Sequence, residues 1–167
     1  MATLELNLRP MEDADLAFLR ELYASTRAAE MERIPWDKAT KDAFLTQQFN
    51  AQHQYYQAHY EGADFSLICH DDQPIGRLYV FRGPTTHNLI DISLMPQWHR
   101  RGIGTGFIAD LTREADALGR SIRLFVEPEN PALRLYERFG FRETGRRQHY
   151  LQMNREAVAA LAQESQP

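Results

Sequence analysis

Apolar and polar residues alternate over residues 3–9, with Leu4, Leu6 and Leu8 on one side and Thr3, Glu5, Asn7 and Arg9 on the other. That period of two predicts a half-buried strand, and Pro10 ends it. Asp13 then suits the cap of a helix whose apolar face is Leu16, Leu19, Leu22 and Tyr23. Residues 28–39 contain Pro35-Trp36 and read as a loop. A long helix follows over 41–60, with Phe44, Leu45, Phe49, Tyr56 and Tyr60 near helical spacing and Gly62 at its end. His53 and His59 on that helix read as polar-face residues.

From there the period shortens. Residues 65–70 and 75–81 are apolar and β-like, and Asp71-Asp72-Gln73-Pro74 between them predicts a hairpin turn. Gly83-Pro84 turns the chain into a fourth strand over 88–94. A helix from about 106 to 118 buries Ile108, Leu111, Ala115 and Leu118 and stops at Gly119. Ile122, Leu124 and Val126 alternate in a fifth strand that Pro128 stops. Residues 131–139 form a short helix capped by Asn130, and two closing strands follow over 141–148 and 149–153. Asn154 suits the cap of a last short helix through Leu161, and QESQP is a tail. The fold class expected is mixed α/β (α+β), with one domain over 1–153 and a short C-terminal helix and tail over 154–167. The fourth and fifth strands, joined through a helix, should be parallel; the hairpin strands should be antiparallel.

The composition changes little in this picture. A chain of 167 residues with 43% hydrophobic and 25% charged residues is ordinary for one globular domain. A net charge of −4 argues against a general nucleic-acid binder. The single Cys69 lies in an apolar run, so it is expected as a buried thiol, with no internal disulfide and no cysteine-rich metal site. No secretory leader and no membrane-length apolar run are evident, so the expected location is cytoplasmic, with no membrane partner.

The candidate chemistry sits at 91–108, DISLMPQWHRRGIGTGFI. A strand ends at Pro96, a polar and basic turn follows, and Gly102, Gly104 and Gly106 lead into a helix. Such an arrangement aims backbone N–H groups and a helix N-terminus at an anion, and Arg100 and Arg101 strengthen the case for phosphate. An ordinary strand-to-helix turn with solvated arginines is the plain alternative.

His99-Arg100-Arg101-Gly102-Ile103-Gly104 is similar to the Gln/Arg-x-x-Gly-x-Gly/Ala loop of the GNAT superfamily, the acyl-CoA-dependent N-acetyltransferases. Asn130 through Leu135-Tyr136 and then Gly140-Phe141 resembles a second part of that family's pattern. The order of elements agrees along nearly the whole chain. The resemblance implies one mixed seven-stranded sheet flanked by about four helices, with the fourth and fifth strands parallel and splayed. It implies acetyl-CoA as cosubstrate and no metal. The amides and side chains of His99, Arg100, Arg101, Gly102, Ile103, Gly104 and Thr105 would hold the pyrophosphate. Leu94 and Met95 would pair with the pantetheine arm, Asn130 would hydrogen-bond it, and Tyr136 would face the sulfur and protonate it as general acid.

Two positions depart from the pattern. His99 stands where Gln or Arg is usual, and it still offers a donor. Asn88 falls where many relatives carry a glutamate base, and it cannot take a proton. Acyl transfer needs a neutral amine, and an alkylamine with pKa about 10.4 is protonated at neutral pH. Asp91 and Glu127 are the candidates to accept that proton, directly or through water. Glu30, Trp36 and Tyr150 are expected at the acceptor, where carboxylates would favour a cationic amine. The acceptor itself would be a small-molecule or peptide amine, and a homodimer is compatible with the sequence. Two alternatives stay open: a non-catalytic acyl-CoA-binding module on the same fold, and a dinucleotide-dependent oxidoreductase, since glycines follow a strand and Glu127 ends the next one.

Overall fold

The structure, a computed structural model, describes residues 4–159. Its strands are β1 (Leu6–Pro10), β2 (Asp64–His70), β3 (Gln73–Arg82), β4 (Thr86–Leu94), β5 (Ser121–Val126), β6 (Arg142–Arg147) and β7 (Tyr150–Arg155). Its helices are α1 (Leu16–Thr26), α2 (Ala28–Glu32), α3 (Lys38–His59), α4 (Ile103–Leu118) and α5 (Leu133–Arg138). The strands form one seven-stranded sheet in the order β1-β2-β3-β4-β5-β7-β6. β4 and β5 are parallel, and β1–β2, β5–β7 and β6–β7 are antiparallel. The mixed sheet and the parallel pair agree with the fold expected from the sequence.

By contacts the chain divides into two compact units. One runs to Tyr79 and includes Ile92–His99. Its core joins Leu19, Leu22 and Tyr23 of α1, Phe49 of α3, and Leu67 and Cys69 of β2. Cys69 is buried, as its apolar run requires, and burial pushes its thiol pKa up. The tight β2–β3 turn puts Asp71 and Asp72 at φ 49° and 64°. Those left-handed values match the twist of a two-residue hairpin.

Two expectations fail in this unit. Residues 28–39 are not all loop: Ala28–Glu32 is helical, anchored by buried Met31, and α3 begins at Lys38. Ala-Ala-Glu-Met-Glu is a run of good helix formers, and Asp37 caps α3 by accepting from the Thr40 N–H at 2.8 Å. The described residues thus form five α-helices beside the sheet, in keeping with the about four expected. β1 lacks the half-buried face expected, because Leu8 is 43% exposed.

The other unit comprises Val80–Asp91 and Arg100 onward. Ile122, Leu124 and Val126 of β5 are buried at alternate positions, as their period predicts. Ile103, Ile108, Leu111 and Ala115 of α4 are buried too, whereas Leu118 is 51% exposed. β4 pairs with β5 over Thr86↔Ser121 to Leu89↔Leu124. The pairing stops there, although β4 continues through Ile90 and Asp91 and β5 through Phe125 and Val126. Across β5, β7 stays paired from Ile122↔Arg155 to Val126↔Leu151.

The closing region also differs from expectation. Asn154 does not cap a helix: Asn154 and Arg155 belong to β7, and residues 156–159 are irregular. Arg155 explains the extension. It is 7% exposed, and its guanidinium donates to both Asp116 oxygens (2.8 and 3.0 Å) and to the Phe139 carbonyl (2.7 Å). The rest of that expected helix and the tail lie outside the described residues.

Candidate active site

The centre of the glycine stretch is the start of α4. Gly102 precedes it at φ 76°, a left-handed backbone that glycine adopts without strain. Arg100 is left-handed as well, at φ 61°, so two such residues fold the turn. The first helical bond runs from Gly106 N–H to Gly102 O at 3.0 Å. α4 therefore begins three residues before the expected start at Gly106, and Gly104 and Gly106 lie inside it.

That leaves the N–H groups of Ile103, Gly104 and Thr105 without helical partners, which is inherent to a helix start. No side chain caps them, and no acidic residue sits in the first turn. Glycine inside a helix costs up to about 1 kcal/mol relative to alanine. Protein packing gives no reason for it here, since a Cβ built on Gly102, Gly104 or Gly106 meets no atom within 4 Å. Exposed amides, a positive dipole end and two flanking arginines make a site that suits a diphosphate. Ile103 contributes its amide alone, because its side chain is buried in the core.

In the other unit, β4 turns off through Pro96–Trp98, a short 3-10 helix. The Met95 N–H donates to Ile75 O at 2.8 Å, toward β3. Successive strand amides face opposite edges, so the Leu94 N–H faces the edge of β4 away from β3. Of the two backbone groups expected at a pantetheine arm, the Leu94 amide is the one with that orientation. His99 differs from expectation: its Nε2 donates back to Leu94 O at 2.8 Å, closing the turn onto the strand end.

Asn130 opens the approach to α5. Its Oδ1 accepts from the Ala132 N–H at 2.8 Å, and its own N–H donates to Glu127 O at 3.0 Å. Side chain and backbone together make the turn that starts α5. Tyr136 on α5 is 7% exposed, with its ring 5.6 Å from that of Phe141. Burial raises the pKa of its hydroxyl, and the charge of Asp91 raises it further. Asp91 and Tyr136, two of the residues singled out for catalysis, are thus electrostatic neighbours. Glu127, the third, is half-buried at the end of β5.

The acceptor residues are differently placed. Glu30 on α2 is paired with Arg27 at 3.0 Å, and Trp36 packs edge-on against Phe44 at 5.4 Å. Tyr150 belongs to the other unit, on β7, with its ring 4.2 Å from His149. Among the described residues no cluster of His, Cys, Asp and Glu could hold a metal ion, and no helix is long and apolar enough to cross a membrane.

One pair was not legible in the sequence. Arg123 Nε donates to Asn88 Oδ1 at 2.9 Å, and these residues are register partners of β5 and β4. The alternation in β5 shows that Arg123 points away from Ile122 and Leu124, but the partner depends on strand register.

The sequence profile of the acetyltransferase (GNAT) family matches residues 21–141. No curated protein matches the chain by sequence. Among solved structures, the PaiA N-acetyltransferase of Thermoplasma acidophilum in complex with coenzyme A is similar at TM-score 0.68 and 15% identity, covering 92% of this chain and 99% of that one. An acetyltransferase from Thermus thermophilus is similar at TM-score 0.66 and 16% identity, covering 93% and 99%. The ribosomal-protein-S18-alanine N-acetyltransferase of Escherichia coli is similar at 0.60 and 20% identity, covering 93% and 97%. At these identities the structural likenesses establish the fold alone.

Proposed function

The chain belongs to the acetyltransferase (GNAT) family, and on that premise we propose that it transfers an acetyl group from acetyl-CoA to a primary amine by direct attack. The observation that carries this reading is the uncapped start of α4, with helical glycines that no protein contact requires. The amides of residues 101–105 bind the pyrophosphate, with Arg100 and Arg101 beside them. The Leu94 amide binds along the pantetheine arm or polarises the thioester carbonyl. The coenzyme A complex of the Thermoplasma acidophilum neighbour supports the choice of cosubstrate.

In the reaction the amine nitrogen attacks the thioester carbon, the C–S bond breaks, and the sulfur leaves as a thiolate. Tyr136, an ordinary phenol ionising at about 10 and here raised further, is protonated at neutral pH. A thiol ionises at about 8.5, below tyrosine, so Tyr136 acts by hydrogen-bonding the departing sulfur. Asp91 is the charged neighbour of that hydroxyl. Glu127, the half-buried residue that follows β5, is the base: it takes the proton of the incoming amine, directly or through water.

Asn88 in place of a glutamate favours a second reading, a non-catalytic acyl-CoA-binding module. Calorimetry with CoA and release of free thiol from acetyl-CoA across a panel of amines separate the two. Binding with amine-dependent thiol release is the expected result. Binding without release under any amine would leave the module. No CoA binding would remove both.

A further inference from the structure

The face of β5 opposite α4 carries a cation with no counter-ion among the described residues. Leu89 and Leu124 are a buried register pair, and His87 on the same face of β4 reaches Glu114 of α4 at 2.7 Å. Asn88 and Arg123 alternate with these residues and therefore project from the other face. Arg123 is half-buried, and its one hydrogen bond among the described residues goes to the neutral Asn88. Four arginines of the unit are ion-paired: Arg82 with Glu114, Arg113 with Asp110, Arg146 with Glu143, and Arg155 with Asp116. Two residues along from Arg123, Phe125 lies under the Arg147 guanidinium, 4.9 Å from ring centre. The strip Arg123, Phe125, Arg147 thus puts cation, ring and cation on one face, beside Gln152 and Tyr150 of β7.

A partly desolvated guanidinium costs free energy unless something anionic meets it. Asn88 holds the Nε and leaves Nη1 and Nη2 as a fork, the geometry that takes a carboxylate through two bonds. A glutamate at 88 would cancel the charge; asparagine fixes the group and preserves it.

We propose that Arg123 binds the carboxylate of the amine acceptor, and that the acceptor is a free amino acid. This rests on the acyl-transfer reading above. It replaces the expectation of a cationic acceptor drawn to Glu30, whose charge Arg27 already meets.

The test compares initial rates of thiol release with the protein amino acids, each against its α-amide. The acids should show the lower KM. Arg123→Gln should raise KM for the acids about tenfold to a hundredfold while leaving the amides unchanged. Arg123→Lys should recover part of the loss, and Asn88→Glu should reproduce it by pairing with Arg123. Equal use of acid and amide, an equal loss on both, or a preference for acidic peptides over free amino acids overturns the proposal. If no amine releases thiol, saturation-transfer NMR on the CoA-loaded protein reads the same acid and amide pairs. CoA binding without acid binding overturns the Arg123 assignment; loss of CoA binding itself overturns the acyl-transfer reading instead. Thermal unfolding of each variant identifies those that fail to fold.

Discussion

The pKa of the Tyr136 hydroxyl is raised by burial first and by the charge of the Asp91 carboxylate second. Tyr136→Phe should lower kcat about tenfold to a hundredfold, as loss of a hydrogen bond to a charged group does, with CoA affinity unchanged by calorimetry. If affinity collapsed while turnover persisted, Tyr136 would be a packing residue of α5.

Gly104 separates the fold from the ligand. It is helical, and a Cβ there meets nothing of the protein. Gly104→Ala should therefore stabilise the fold by up to about 1 kcal/mol, raising Tm by about 2–4 °C, with CoA affinity nearly kept, since the family's loop takes glycine or alanine at this position. Gly104→Asp should abolish binding by setting a carboxylate against phosphate. A Gly104→Asp variant with unaltered CoA affinity would show that no phosphate comes close to this turn.

His87 gives the protein a pH dependence near neutrality. It is fully buried, its Nε2 meets Glu114 at 2.7 Å, and its Nδ1 has no partner among the described residues. Burial pushes its pKa down, more than Glu114 pulls it up. The folded value lies below the unfolded value of about 6.5, so the unfolded chain takes up the proton first as pH falls. The contribution is complete above pH about 6.5 and is lost below it. Denaturation midpoints from pH 7 to about 5 should decline in the parent and decline less in His87→Leu; parallel curves would refute the assignment.

The Asp116–Arg155 pair acts at lower pH. Hydrogen bonds from Arg155 hold the Asp116 carboxyl below the usual carboxylate range. With the folded pKa depressed, its stabilisation is present above about 3.9 and disappears as pH falls through the folded value. Asp116→Ala strands a guanidinium that is 7% exposed and should cost about 3–5 kcal/mol in urea unfolding. Asp116→Ala combined with Arg155→Met should cost less than the single change, because no charge is left unpaired. An equal or larger cost would mean that Arg155 acts through its bond to Phe139 instead.

The sequence by itself determined what depends on neighbours along the chain. The alternation of Ile122, Leu124 and Val126 announces β5, and the buried spacing of Leu19, Leu22 and Tyr23 announces α1. Glycines after a strand mark the turn into α4, and the Asn130-to-Phe141 segment carries the family resemblance. The helix over 28–32 is legible in its helix-forming composition, and Pro35 limits the loop signal to the residues after it. Tertiary structure decided whatever depends on which strands lie side by side and in what register. Only the pairing Asn88↔Arg123 joins those side chains, and only the end of that pairing at Leu89↔Leu124 lets β4 and β5 run on unpaired. Arg155 extends β7 where a helix cap was expected, because its partner Asp116 is 39 residues away. Local propensity is read along the chain, but register and long-range ion pairs follow from burial summed over the whole sheet, which no short window contains.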